Sequence, residues 1–158
     1  MTESVSSDPK AEPAIYTLAL SNSLAELVKL SAWVKMLTGE LHLSQEDAFK
    51  LELVLTEAVT NIIQHGYDDA IDCAIKIRLK HLIETLHIEV SDSAKPFNPL
   101  HQPEVTFPRS LEEASEGGLG IHLIRNYTNE CYYQRIEQHN VLTMVLSMTK
   151  PEGDPSRI

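Results

Sequence analysis

The chain predicts an α+β fold, a two-layer α/β sandwich with helices on one face of a mostly antiparallel sheet. Three observations carry this reading. Apolar residues recur at helical spacing through the first third of the chain, and two short segments alternate apolar with polar residues. The third observation is their order: a strand, two helices, a hairpin, a long loop, a helix and a second hairpin. Hairpin neighbours pair antiparallel, and helices placed between hairpins have one sheet face to cover.

At 158 residues and 42% apolar content, the chain is long enough for one domain with its own core. Residues 1–13 and 151–158 are polar and proline-bearing and are expected to be flexible tails, leaving 14–150 as the folded unit. Ile15 to Leu20 reads as the first strand. Ser23 with Glu26 forms a capping box that starts a helix ending near Gly39, and Ser44 with Asp47 forms a second box for the next helix. Along that second helix Leu51, Val54, Leu55, Ala58, Val59 and Ile62 make one apolar stripe, with Gly66 as the C-cap residue after His65. Cys73, Ile75, Ile77 and Leu79 alternate with polar residues, as do Leu86, Ile88 and Val90, which predicts a hairpin turning near His81 to Glu84. From Ser91 to Gly120 the periodicity dissolves into prolines and the acidic run Glu112-Glu113-Ala114-Ser115-Glu116, the pattern of a functional lid or of a mobile segment. Ile121 to Asn129 resumes as a helix. Tyr132 to Glu137 and Leu142 to Met148 close the chain as a second hairpin.

Composition excludes several function classes. A formal net charge of −10 with no Lys/Arg cluster opposes binding to nucleic acid through its phosphates. Without a signal-like N-terminus or an apolar run long enough to span a bilayer, a cytoplasmic protein with no membrane contact is expected. Cys73 and Cys131 do not suggest a disulfide framework and are expected to be buried, reduced and structural; the seven histidines show no HxxxH or HExxH spacing for zinc.

Glu57 and Asn61 are the first candidate site residues. At about 100° per residue they lie within roughly 40° of each other, so an acid and an amide project from one helix face a single turn apart. Both sit on the flank of the apolar stripe, where a packed helix meets a pocket. A solvated glutamate and a tolerated polar residue are the plainer alternatives; with a nucleotide present, Glu57 is suited to polarise a hydroxyl and the Asn61 oxygen to hold Mg²⁺. Gly117-Gly118-Leu119-Gly120 reads either as a simple turn or as a phosphate cradle, with bare N–H groups at a helix N-terminus. It is not a P-loop, since no Gly-Lys-Ser/Thr follows, nor a Rossmann turn, since no strand leads into it. Asp92, at a strand end, either caps a turn or accepts a hydrogen bond from a base amino group. Thr143 on the last strand is either a β-former or an assistant to that contact, directly or through water.

Taken together, these motifs resemble the GHKL ATPase superfamily and, within it, the small anti-sigma factor serine/threonine kinases of bacterial partner-switching systems. Glu57-Ala-Val-Thr-Asn61 is similar to the family's N box, Asp92-Ser-Ala-Lys-Pro-Phe-Asn-Pro99 to its adenine box, and Gly117-Gly-Leu-Gly-Ile121 to its glycine box. The resemblance implies a Bergerat-type ATP-binding fold over residues 14–150, with ATP and Mg²⁺ as ligands. It implies that Glu57 is the general base, Asn61 the Mg²⁺ ligand and Asp92 the adenine contact. Gly118 and Gly120 would be the phosphate-contacting hinge of the lid, flanked by Gly117 and Leu119. It also implies phosphorylation of a STAS-type anti-anti-sigma partner, sequestration of a sigma factor, and a homodimer. The chain departs from the pattern at Ala94, where the family usually has glycine. A left-handed backbone there would cost about 1–2 kcal/mol and weaken the nucleotide site; otherwise only a methyl group must be accommodated near the base. The alternative function is therefore a non-catalytic module that sequesters a partner, its nucleotide site weakened or lost.

Overall fold

Alternation along the strands decides which way the sheet faces. The computed structural model describes residues 12–65, 73–101 and 119–149. In chain order these form β1 (Ile15–Ser21), a 3₁₀ turn (Leu24–Glu26), α1 (Leu27–Glu40), α2 (Gln45–His65), β2 (Ala74–His81) and β3 (Thr85–Asp92). A second 3₁₀ turn (Pro99–His101), α3 (Leu119–Tyr127), β4 (Glu130–Ile136) and β5 (His139–Ser147) complete them. The five strands run in the order β1-β2-β3-β5-β4, every neighbouring pair antiparallel. Ile77 pairs with Val90 and Val90 with Leu142, while Leu79 pairs with Ile88 and Ile88 with Met144, so rows of apolar side chains cross the sheet on one face. Leu30, Trp33, Val34 and Leu37 of α1, the predicted stripe of α2 through Val59, and Ile121 and Ile124 of α3 join these rows in a single buried cluster. The fold is the expected two-layer α+β arrangement. The opposite face carries Lys76, Arg78, Lys80, His87 and Glu89, with Arg78 and Glu89 paired across strands at 3.8 Å.

Element ends differ from the sequence reading where local hydrogen bonds outweigh pattern. Ser23 caps the 3₁₀ turn rather than α1, its Oγ accepting from Ala25 N at 3.3 Å. Gly39 stays inside α1, and His42, at φ 51°, takes the left-handed conformation beyond the helix. Ser44 does cap α2, accepting from Asp47 N at 3.0 Å, but the Asp47 carboxylate does not close the box. Its Oδ2 instead accepts from Thr149 N at 2.9 Å and Thr149 Oγ1 at 3.0 Å, which ties the chain just after β5 to the start of α2. Gly66, the expected C-cap, lies outside the described residues, as do most of both tails. α3 starts two residues earlier than expected and stops at Tyr127, where Thr128 turns both its N–H and its hydroxyl back to the Ile124 carbonyl. Glu137 and Gln138, at φ 44° and 69°, form a two-residue turn with both central residues left-handed, the geometry that joins twisted antiparallel strands. Glu137 therefore belongs to the turn rather than to β4. Among the described residues, no helix is long and apolar enough to cross a membrane.

Candidate functional site

One end of α2 and the ends of β3 and β5 enclose a cavity. Ala58, Asn61 and Ile62 of α2 line it, with Val90, Asp92, Tyr133, Asn140 and Leu142 from the sheet and Phe97 and Pro99 from the segment after β3. The walls are mainly apolar and the polar groups few, the composition of a small-molecule site.

Asp92 ends β3 and is 4% exposed. Its Oδ1 accepts from Ala94 N at 2.9 Å, closing an Asx turn, and from Asn140 Nδ2 at 3.0 Å. Among the described residues both hydrogen bonds therefore fall on one oxygen, and Oδ2 is the acceptor left for a ligand. Asn61 presents the complementary feature, because its Nδ2 is buried without a hydrogen-bond partner among the described residues. A buried amide without a partner costs roughly 1–3 kcal/mol, and its O and N ends exchange by a flip of the group, so it is a ligand-ready polar atom. One turn back, burial raises the Glu57 carboxyl above the usual glutamate range. Gly120, the second residue of α3, packs directly on this pair. A Cβ there would lie 2.5 Å from Glu57 Oε2 and 3.6 Å from Asn61 Nδ2, so only glycine lets the start of α3 approach the two side chains undisturbed.

Glu57, Asn61, Asp92 and Gly120 are thus gathered around one end of α2. Ala94 is buried beside them but is not a wall of the cavity. It is absent from the residues with positive φ, so its methyl group carries no left-handed strain. Thr143 is not brought to the site. Asn140 and Leu142 face the cavity, and strand alternation turns Thr143 to the other face of the sheet, where it pairs with Glu89 and Tyr132. Gly117 and Gly118 lie outside the described residues, and Leu119 opens α3. The described residues contain no cluster of three or more His, Cys, Asp or Glu side chains able to hold a metal ion unaided.

The residue that sequence reasoning missed is Asn140. It stands directly across from Asp92 in the strand register. The signal was present: counting back by twos from Leu146, Met144 and Leu142 lands on a polar residue at an inward position, and buried polar groups need partners. Phe97, which stacks on His65 with ring centroids 5.7 Å apart, had no such signal.

A profile of the family described as the Histidine kinase-like ATPase domain matches residues 20–146. The chain belongs to this family. Among curated relatives of this ATPase domain, the serine/threonine-protein kinase BtrW of Bordetella bronchiseptica is 27% identical over 137 residues, covering 87% of this chain and 96% of the relative. The serine-protein kinase RsbW of Bacillus subtilis is 26% identical over 101 residues, 61% of each chain. An anti-sigma F factor from Anoxybacillus flavithermus is 23% identical over 129 residues, 80% of this chain and 84% of that one. Among solved structures, the RsbU and RsbW domains of Rv1364c from Mycobacterium tuberculosis superpose with a TM-score of 0.62 at 13% identity, over 87% of this chain and 33% of the other. That likeness concerns the fold alone. For a histidine kinase-like ATPase domain the nucleotide is ATP, and the apolar slot with an acceptor in its lining and an unsatisfied amide is compatible with one.

Proposed function

We propose that the chain is a serine/threonine protein kinase that transfers the γ-phosphoryl group of ATP to a hydroxyl of a STAS-type anti-anti-sigma protein and otherwise holds a sigma factor inactive. The observation that carries this is the convergence of Glu57, Asn61 and Gly120 beside the cavity that Asp92 lines. The names of the relatives, two kinases and an anti-sigma factor, support the choice of acceptor and partner. In this reading the adenine ring lies between Ala58, Ile62, Val90 and Leu142, and its amino group donates to Asp92 Oδ2. The phosphates extend toward Leu119 and Gly120 at the start of α3, and Gly117 and Gly118 would complete the phosphate contacts. Glu57 accepts the proton of the acceptor hydroxyl, whose oxygen bonds to the γ-phosphorus as the bond to the ADP oxygen breaks. Its raised proton affinity suits that role, because a base works best when its pKa lies closer to the working pH. The amide oxygen of Asn61 is the hard donor type that suits Mg²⁺, so Asn61 would hold that ion, which neutralises phosphate charge when bound. Completing this reading, the kinase works as a homodimer in the cytoplasm.

Ala94 was the main support for a sequestering module without catalysis. Its backbone is not left-handed, so that strain does not arise and only its methyl group has to be accommodated. Calorimetric titration of ATP with and without Mg²⁺, followed by phosphotransfer to STAS proteins, tests the proposal. Mg-dependent binding and transfer to a serine or threonine are expected; no binding at millimolar ATP would overturn it.

A further inference from the structure

Asn140 is 6% exposed and uses its whole hydrogen-bonding capacity on the protein. Its Nδ2 donates to Asp92 Oδ1 at 3.0 Å and to the Lys95 carbonyl at 3.0 Å, with the Ala94 carbonyl at 3.4 Å. Its Oδ1 accepts from the Tyr133 hydroxyl, from Arg135 Nη1 at 3.1 Å and from Phe97 N at 3.3 Å. Arg135 Nη1 also donates to the Ala94 carbonyl at 2.7 Å. One amide therefore joins β4, the end of β3 and residues 94–97 into a single network. That network grips the two parts of the site that face a base: the carboxylate of Asp92 and the ring of Phe97.

We infer that Asn140, backed by Arg135, is a positioning residue for base recognition: it locks Asp92 so that only Oδ2 points into the cavity, as an acceptor that favours a base with an exocyclic amino group over one with a carbonyl there. The inference rests on the nucleotide reading above. Asn140 has no hydrogen bond left to give a ligand, so it acts through Asp92 rather than by touch. Because Oδ1 already accepts two N–H groups, rotation of the carboxylate would break both bonds. Bases with a carbonyl in place of the amino group then meet an acceptor with an acceptor.

The test compares ATP with GTP, which share the triphosphate, so that their affinity ratio reports on the base end alone. Affinities are measured by calorimetry for the full chain, for Asn140→Leu and for Arg135→Gln, with thermal melting as the check on folding. Arg135 is an exposed side chain whose recorded bonds lie within the network, so Arg135→Gln is expected to fold even where Asn140→Leu does not. The expected result is an ATP preference in the native chain that falls roughly tenfold in Asn140→Leu and about threefold in Arg135→Gln, mainly through weaker ATP binding. Folded variants that keep the native ATP-to-GTP ratio would overturn the positioning role while leaving the kinase reading intact. A native chain that binds neither nucleotide would instead remove the reading on which the inference rests.

Discussion

Replacing Gly120 by alanine should separate stability from catalysis. Gly120 lies in α3 without a positive φ, so alanine is accepted by the backbone and, as the better helix former, adds up to about 1 kcal/mol of stability. The new methyl carbon would start 2.5 Å from Glu57 Oε2, where ordinary contact begins at 3.4 Å, so the carboxylate must retreat by about 0.9 Å. It is the far end of a flexible side chain and can do so without unfolding anything. Asn61 Nδ2, at 3.6 Å, is already at ordinary contact distance and stays in place. A catalytic group misplaced by about 1 Å costs on the order of 10²-fold in rate. Gly120→Ala keeps the backbone N–H that would face the phosphates, so it should melt at or above the native temperature, bind ATP nearly normally and transfer phosphate roughly 100-fold more slowly. Differential scanning fluorimetry, ATP calorimetry and a single-turnover transfer assay read the three quantities separately. Native-rate transfer by the folded variant would refute the argument that Glu57 acts from its observed position.

Other substitutions probe the remaining groups. Glu57→Gln should lower transfer by about 10²–10⁴-fold with ATP affinity retained, and the native rate should climb with pH through the raised Glu57 pKa. Linkage gives a further check on the same residue. With the folded pKa above the unfolded one, the charged form is penalised only in the folded chain, so stability falls as pH rises through that pKa. Glu57→Gln should thus be more heat-stable than the native protein at pH 7, with the gap closing in acid; equal melting at both pH values would contradict it. Asn61→Ala should weaken Mg-dependent ATP binding, and an unchanged magnesium effect in calorimetry would remove Asn61 as the cation's ligand. Burial pushes the Cys131 thiol up to about 11, so at pH 8 iodoacetamide should modify it far more slowly in the folded chain than after denaturation, by roughly 10²-fold. Equal rates would mean that the thiol is open to solvent.

How far the sequence could be read depended on whether a signal was periodic or tertiary. The core face of β2, β3 and α2 followed from spacing, because Ile77, Ile88 and Leu55 each repeat a pattern with its neighbours. Glu57 and Asn61 were legible for the same reason, being a turn apart on one helix. Strand ends and turns were less so: nothing in Glu137-Gln138 announces a left-handed pair, since neither residue is a usual turn former. Thr143 and Asn140 show how a site goes astray by strand register. Three positions separate them, an odd number, so they face opposite sides of the sheet, and the polar residue that matters is the one in phase with Leu142. The consequence of Ala94 also needed coordinates, because the sign of a φ angle is not written in residue type.

The clasp of Asp47 on Thr149 determines where the chain departs after β5. Asp47 and Asn61 lie at opposite ends of α2, about 21 Å apart at the usual helical rise. A fluorophore or fusion carried at position 149 would consequently start about two thirds of the length of α2 from the cavity, close enough to report a docked protein by energy transfer and far enough to leave nucleotide exchange alone. The same clasp predicts which junction tolerates grafting: a partner appended there starts beside the first turn of α2, at the end of that helix away from Glu57 and Asn61.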